Sequence, residues 1–88
     1  MTTRLVWDVP KRLANLDKHG LDFKELTICF FFQAVVRPAK RGRLQAIGYL
    51  KGRPVAVIFT RLGTEALSII SLRPANAQER ELLNDRKN

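Results

Sequence analysis

Leu67-Ser68-Ile69-Ile70-Ser71-Leu72-Arg73-Pro74-Ala75-Asn76-Ala77-Gln78-Glu79-Arg80 sets a buried strand directly against a capped helix. Its first half reads as a buried strand, and Pro74 ends the run. Asn76-x-x-Glu79 then has the spacing of a capping box. Side chains alternate along a strand, so strict alternation places Ser71 and Arg73 on one face with Leu67 and Ile69, and Ile70 and Leu72 on the other. A hydroxyl and a guanidinium would meet at the strand's C-terminal end, beside a helix start. That combination suits a phosphate.

The neighbouring sequence supplies partners for this strand. Leu44 to Leu50 reads as a strand, Lys51-Gly52 as a tight hairpin turn, and Arg53 to Thr60 as the returning strand, with Pro54 near its start or at an edge-like position. Arg61-Leu62-Gly63-Thr64 turns the chain into the Leu67 run. Before these strands, Arg37-Pro38-Ala39-Lys40-Arg41-Gly42 is a basic turn. Phe31 to Val36 suits either a continuing helix or a strand, and Val35-Val36 favour the strand from there.

At the N-terminus, Arg4 to Trp7 is short enough for an edge strand. Asp8 or Val9 caps a helix over about residues 10–18, with Pro10 in its first turn and Gly20 as a left-handed stop. Leu13 and Leu16 form its narrow apolar stripe. Asp22-Phe23-Lys24-Glu25 starts a second helix reaching about Phe30, burying Phe23, Leu26, Ile28, Cys29 and Phe30. Asp85 to Asn88 is expected to fray. The order predicts a small single α+β domain over residues 1–88. It has two N-terminal helices, a three- to four-stranded mainly antiparallel sheet and a C-terminal helix, with the helices on one sheet face.

Eighty-eight residues allow a modest core. No apolar run approaches the roughly 20 residues of a membrane span, and nothing after Met1 reads as a secretory signal. The lone Cys29 lies in an apolar run, which reads as a buried thiol in a reducing, cytoplasmic compartment. The net charge of +8 is unevenly placed. Residues 34–63 hold Arg37, Lys40, Arg41, Arg43, Lys51, Arg53 and Arg61 and no acid, which favours a polyanion such as nucleic acid, or an acidic protein, over a merely solvated surface.

One His, one Cys and scattered carboxylates make no metal-ligand cluster, so neither a metal nor a cofactor is expected. There is no phosphate-binding glycine loop, Cys-x-x-Cys pair or nucleophile elbow. What remains is chemistry that needs only positive charge and a proton donor or acceptor. RNA carries its own nucleophile, the 2′-hydroxyl, and a protein can cleave it by orienting that group and stabilising charge on the phosphate. Arg73 beside Ser71 suits phosphate contact or, alternatively, a structural tie to the last helix. His19 could move a proton or merely cap its helix, and Lys18 faces the same choice. Arg80 sits one turn into the last helix, where it could serve the site or pair locally. Arg43 and Arg61 suit phosphate contact more than chemistry.

Trp7-Asp8-x-x-Lys11-x-x-x-Asn15-x-x-Lys18-His19-Gly20-x-x-Phe23-x-Glu25 resembles the opening signature of BrnT-type toxins. Arg43-x-x-x-Ile47-Gly48, Phe59-Thr60-x-x-Gly63 and Ile69-Ile70-Ser71-x-Arg73-x-Ala75-x-x-x-Glu79-Arg80 resemble its remainder, in order and spacing. The resemblance implies a RelE-like fold and a ribonuclease toxin of a bacterial type II toxin–antitoxin pair. It also implies a ribbon-helix-helix antitoxin partner, operator DNA bound only through the toxin–antitoxin complex, and no membrane association. A heterotetramer is one assembly it allows.

Three departures stand out. Ser68 occupies a position where members often carry Arg, the Pro usual directly after Trp-Asp is shifted to Pro10, and Phe31-Phe32-Gln33 replaces an Asp-rich turn. Phe31 and Phe32 fit the core, or an antitoxin interface if exposed. The leading expectation is a metal-independent endoribonuclease acting on mRNA, with Lys18, His19, Ser71, Arg73 and Arg80 as catalytic candidates and Arg43 and Arg61 on RNA phosphates. The alternative is a noncatalytic RNA-binding or antitoxin-binding module of the same fold.

Overall fold

The computed structural model describes residues 3–87, with the side chains of residues 86 and 87 left aside. The elements run β1 (Arg4–Trp7), α1 (Val9–His19), a 3₁₀ turn (Phe23–Glu25), α2 (Ile28–Gln33), β2 (Val35–Pro38), a second 3₁₀ turn (Lys40–Gly42), β3 (Leu44–Leu50), β4 (Arg53–Leu62), β5 (Ala66–Pro74) and α3 (Ala77–Lys87). The sheet has five strands, in the order β1-β5-β4-β3-β2. The expected three or four strands omitted the short edge strands' full membership. β1 pairs parallel with β5, so the sheet is mixed, and the other pairings are antiparallel.

Helices cover both faces, not one. On the first face Phe23, Leu26 and Phe30 pack on Ala46, Val57, Phe59, Ile69 and Leu72. On the second, Leu83 of α3 closes over Ile47 and Ala56. The alternation of β3 and β4 demands this, because Ala46 and Val57 face one way while Ile47 and Ala56 are equally buried facing the other. α3 extends to Lys87, and Asn88 lies outside the described residues.

β5 departs from strict alternation. Ile58 pairs with Ser71 but Phe59 pairs with Ile69, so Ile70 is one extra residue on β5. This bulge restores Leu72 to the core face shared by Ile69 and sends Ser71 and Arg73 to the α3 face. Ser71 and Arg73 do share a face, as expected, but not with Leu67 and Ile69.

Local chemistry explains the remaining elements. Asp8 caps α1, its side chain accepting from Lys11 N, and Gly20 ends it at φ 69°. The second helix is not continuous: Asp22 caps only the 3₁₀ turn, and Thr27 caps a new start at Ile28. Lys51 and Gly52 at φ 52° and 79° make the hairpin turn. Cys29 is exposed, contrary to expectation. Phe31 is half-buried in edge-to-face contact with Phe30 and Phe59, whereas Phe32 is 79% exposed. Leu13 and Leu16 also face outward, and the buried residue of α1 is Asn15. No helix among the described residues is long and apolar enough to cross a membrane.

Candidate functional site: a cationic cleft on the α3 face

Cross-strand pairing lays one row of residues over four strands: Arg37 opposite Gln45, Gln45 opposite Ile58, Ile58 opposite Ser71. Paired residues share a sheet face, so this row forms a continuous floor beside α3. Above it opens a cleft of about 620 Å³ lined by Arg37, Pro38, Ala39, Lys40, Arg41, Arg43, Gln45, Ile58 and Arg73. Five of its nine lining residues are cations and none is an acid, so its potential is strongly positive.

The β2–β3 turn supplies most of that charge. Ala39 N donates to Arg43 O at 2.8 Å and Arg43 N to Lys40 O at 3.2 Å, folding Lys40, Arg41 and Arg43 into one wall. Arg41 sits at φ 61°, a left-handed conformation that costs a residue with a Cβ about 1 kcal/mol.

Arg73 lines the opposite wall and is tied down. Its Nη1 and Nη2 donate to Glu79 Oε1 and Oε2, both at 2.8 Å, and Nη1 also donates to Pro74 O at 3.2 Å. Glu79 is buried in the first turn of α3, where it completes the capping box: Asn76 N donates to Oε1 and Glu79 N to Asn76 Oδ1. Gln45 Nε2 donates to Glu79 Oε2 at 2.9 Å, and Arg37 Nε donates to Gln45 Oε1 at 2.7 Å. The Arg73 guanidinium, followed by the Asn76 amide, pulls the Glu79 carboxyl down to about 2 against the opposing effect of burial.

A smaller depression lies next to this cleft, across the Ile58–Ser71 pair. Lys11, Ala14, Asn15, Lys18, His19, Ile70 and Ser71 line it. Asn15 creates it by fixing α1 against β5. β1 stops at Trp7, opposite Ile69, and beyond that point Asn15 takes the strand's place: its Nδ2 donates to Leu72 O at 2.8 Å and Leu72 N donates to its Oδ1 at 3.0 Å. Nδ2 also donates to Leu21 O at 3.0 Å.

Of the residues expected from sequence, Arg43 and Arg73 meet in the cleft, and Lys18, His19 and Ser71 meet in the adjoining depression. Two do not join them. Arg61 lies on the other sheet face, in an apolar groove with Ile28, Phe31, Phe32, Val36, Phe59 and Leu67, because β4 alternates it with Thr60. Arg80 lines neither depression, and its Nη1 donates to Ala75 O at 3.0 Å. Sequence reasoning passed over Arg37, Lys40 and Arg41 as individual contributors, although the unbroken positive run held the signal. Gln45 gave none, being one polar residue in an apolar strand. Among the described residues no group of three or more His, Cys, Asp or Glu could hold a metal ion.

Comparison with known proteins gives the site a context. A family model described as "Ribonuclease toxin, BrnT, of type II toxin-antitoxin system" matches residues 7–79. Among solved structures, the 1.1 Å crystal structure of the Brucella abortus ribonuclease toxin BrnT is 51% identical, with a TM-score of 0.81, covering 85% of this chain and 99% of that one. No curated protein matches. With the family signature spanning both depressions, this chain belongs to the BrnT family of ribonuclease toxins of type II toxin–antitoxin systems.

Proposed function

We propose that this chain is a metal-independent endoribonuclease that cleaves mRNA in the cytoplasm and is neutralised by a ribbon-helix-helix antitoxin. The observation that carries this reading is the acid-free cleft of Arg37, Lys40, Arg41, Arg43 and Arg73, adjoining the depression with Lys18, His19 and Ser71. Guanidinium groups pair bidentately with phosphate and stay charged at every relevant pH. They would hold a phosphodiester and stabilise the charge that builds on its oxygens.

The RNA 2′-hydroxyl then attacks its own phosphorus, the bond to the 5′-oxygen of the next nucleotide breaks, and a cyclic 2′,3′-phosphate and a free 5′-hydroxyl result. One proton leaves the 2′-oxygen and one reaches the departing 5′-oxygen. His19, with Lys18 and Ser71 beside it, is the candidate for one of these transfers, worth roughly 10²–10⁴ in rate. No step in this scheme needs a metal-bound nucleophile.

The alternative, an RNA- or antitoxin-binding module without turnover, draws on one observation, that Arg73 is already engaged by Glu79, and on the resemblance, which implies Arg where this chain has Ser68. To test the two, purified protein is incubated with cellular RNA in EDTA. Discrete products ending in cyclic phosphate, lost in Arg37→Ala/Arg43→Ala and His19→Ala, support the enzyme. Salt-sensitive binding with no cleavage above the variants' background supports the binding module. Toxicity on expression, relieved by co-expression of the neighbouring gene's product, tests neutralisation.

A further inference from the structure

We infer that Glu79 and Gln45 are positioning residues of the cleft: a buried bridge that holds Arg73 in its wall and Arg37 in its floor with one donor fork of each left open for phosphate. The inference rests on the cleft binding RNA phosphates.

Donor counting supports it. Arginine has five N–H donors. Arg73 spends both Nη1 hydrogens, on Glu79 and Pro74 O, and one Nη2 hydrogen on Glu79. The Nε–H and the second Nη2 hydrogen remain, side by side along one edge, with no acceptor among the described residues. Arg37 is anchored the other way round. Its Nε donates to Gln45, and its terminal Nη1–Nη2 fork meets no acceptor among the described residues. Each arginine therefore keeps one bidentate edge free, and such an edge matches two phosphate oxygens.

The Glu79 carboxylate is saturated and the bridge is buried, as a positioning device requires. Glu79 Oε1 accepts from Arg73 and Asn76, and Oε2 accepts from Arg73 and Gln45. Gln45 and Glu79 are both buried, so water does not compete for these bonds. A helix cap alone would need neither Gln45 nor the bond that Arg37 donates to it. The bridge also fixes rotamers before RNA arrives, which saves the ordering cost of two long side chains on binding.

Gln45→Met cuts the bridge between the arginines while leaving the Asn76–Glu79 cap and the Arg73–Glu79 pair in place, so the fold survives. The test is a double-mutant cycle with Arg37→Ala, read as affinity for a short 2′-O-methylated RNA oligomer that cannot be cleaved, with thermal unfolding recorded alongside. Arg37→Ala should weaken binding and lower the salt slope by about one. In the Gln45→Met background the same substitution should matter less, with a coupling of about five-fold. If Arg37→Ala weakens binding but the two changes act independently, the phosphate site stands and the positioning role is overturned. If Arg37→Ala changes neither affinity nor slope, the cleft does not bind RNA phosphates and the inference falls with that assignment.

Discussion

Replacing Asn15 by Ala tests the joint between α1 and the sheet. Asn15 is 8% exposed and makes three hydrogen bonds, two to the backbone of Leu72 and one to Leu21 O. Alanine removes all three and leaves one N–H and two carbonyls without the side chain that pairs them. A buried group left without its partner costs about 1–3 kcal/mol, the N–H more than a carbonyl that can be met elsewhere. About 3–4 kcal/mol in all is expected, against a total stability of about 5–13 kcal/mol for a chain of this length. Urea unfolding should show a lower midpoint with unchanged slope, and the melting temperature should fall by about 15 °C or more. Asn15→Asp sharpens the test: one carboxylate oxygen still accepts from Leu72 N, but the other faces two carbonyls. At neutral pH it should be at least as damaging as Ala. A loss under about 1 kcal/mol for Asn15→Ala, or a tolerated Asp, would refute the view that this side chain continues the strand pairing that β1 leaves off.

Other expectations follow from the same contacts. Glu79 titrates near 2 in the folded chain against an ordinary 4.5, so its stabilising effect is complete above about 4.5 and is lost as pH falls from there toward 2. The unfolding free energy measured across that range should drop by at most about 3 kcal/mol from this group, with Asp22, held to about 2 by Arg12, acting in the same direction, and Glu79→Gln should flatten the acid limb. A Cβ on Gly48 would meet Phe30 Cε2 at 3.0 Å and Cζ at 3.3 Å, so Gly48→Ala should cost about 1–3 kcal/mol by denaturant unfolding, partly recovered with Phe30→Leu. Ser68 pairs with Thr60 on the face that carries Ser71 and Arg73. Ser68→Arg should therefore raise RNA affinity and steepen its salt dependence by about one, whereas a surface Ser→Arg on α1 should do less.

What the sequence disclosed about the fold depended on whether a local rule met a local cause. The hairpin at Lys51-Gly52, the caps at Asp8 and Asn76 and the stop at Gly20 each answer to one or two residues, and each is present. The errors share a different origin. Two consecutive isoleucines conceal a bulge, because either could be the residue that faces the core. The apolar stripe Leu13–Leu16 assumes that a helix meets its sheet face-on. α1 instead meets the backbone edge of β5, where an amide side chain serves better than a methyl group, so Asn15 turns inward and Leu13 remains 52% exposed. Thr27 interrupts the second helix because a β-branched hydroxyl residue caps more readily than it propagates.

The site was legible as charge but not as pairing. The run of basic residues without acids is the stretch that lines the cleft. Which cations are free depends on contacts between distant segments. Glu79 reads from sequence as a cap, and it caps, yet the same carboxylate also neutralises Arg73 and receives Gln45 from a strand 34 residues away. Arg73 is therefore the cleft cation that is paired with a carboxylate, while Lys40, Arg41 and Arg43 enter no ion pair among the described residues. In the electrostatic view, affinity for RNA should follow the β2–β3 turn more than Arg73, and Arg73 should act through orientation. Neutralising the turn ought to lower the salt slope by about one per cation, whereas Arg73→Lys, which keeps the charge but loses the planar fork, ought to spare the slope and impair cleavage.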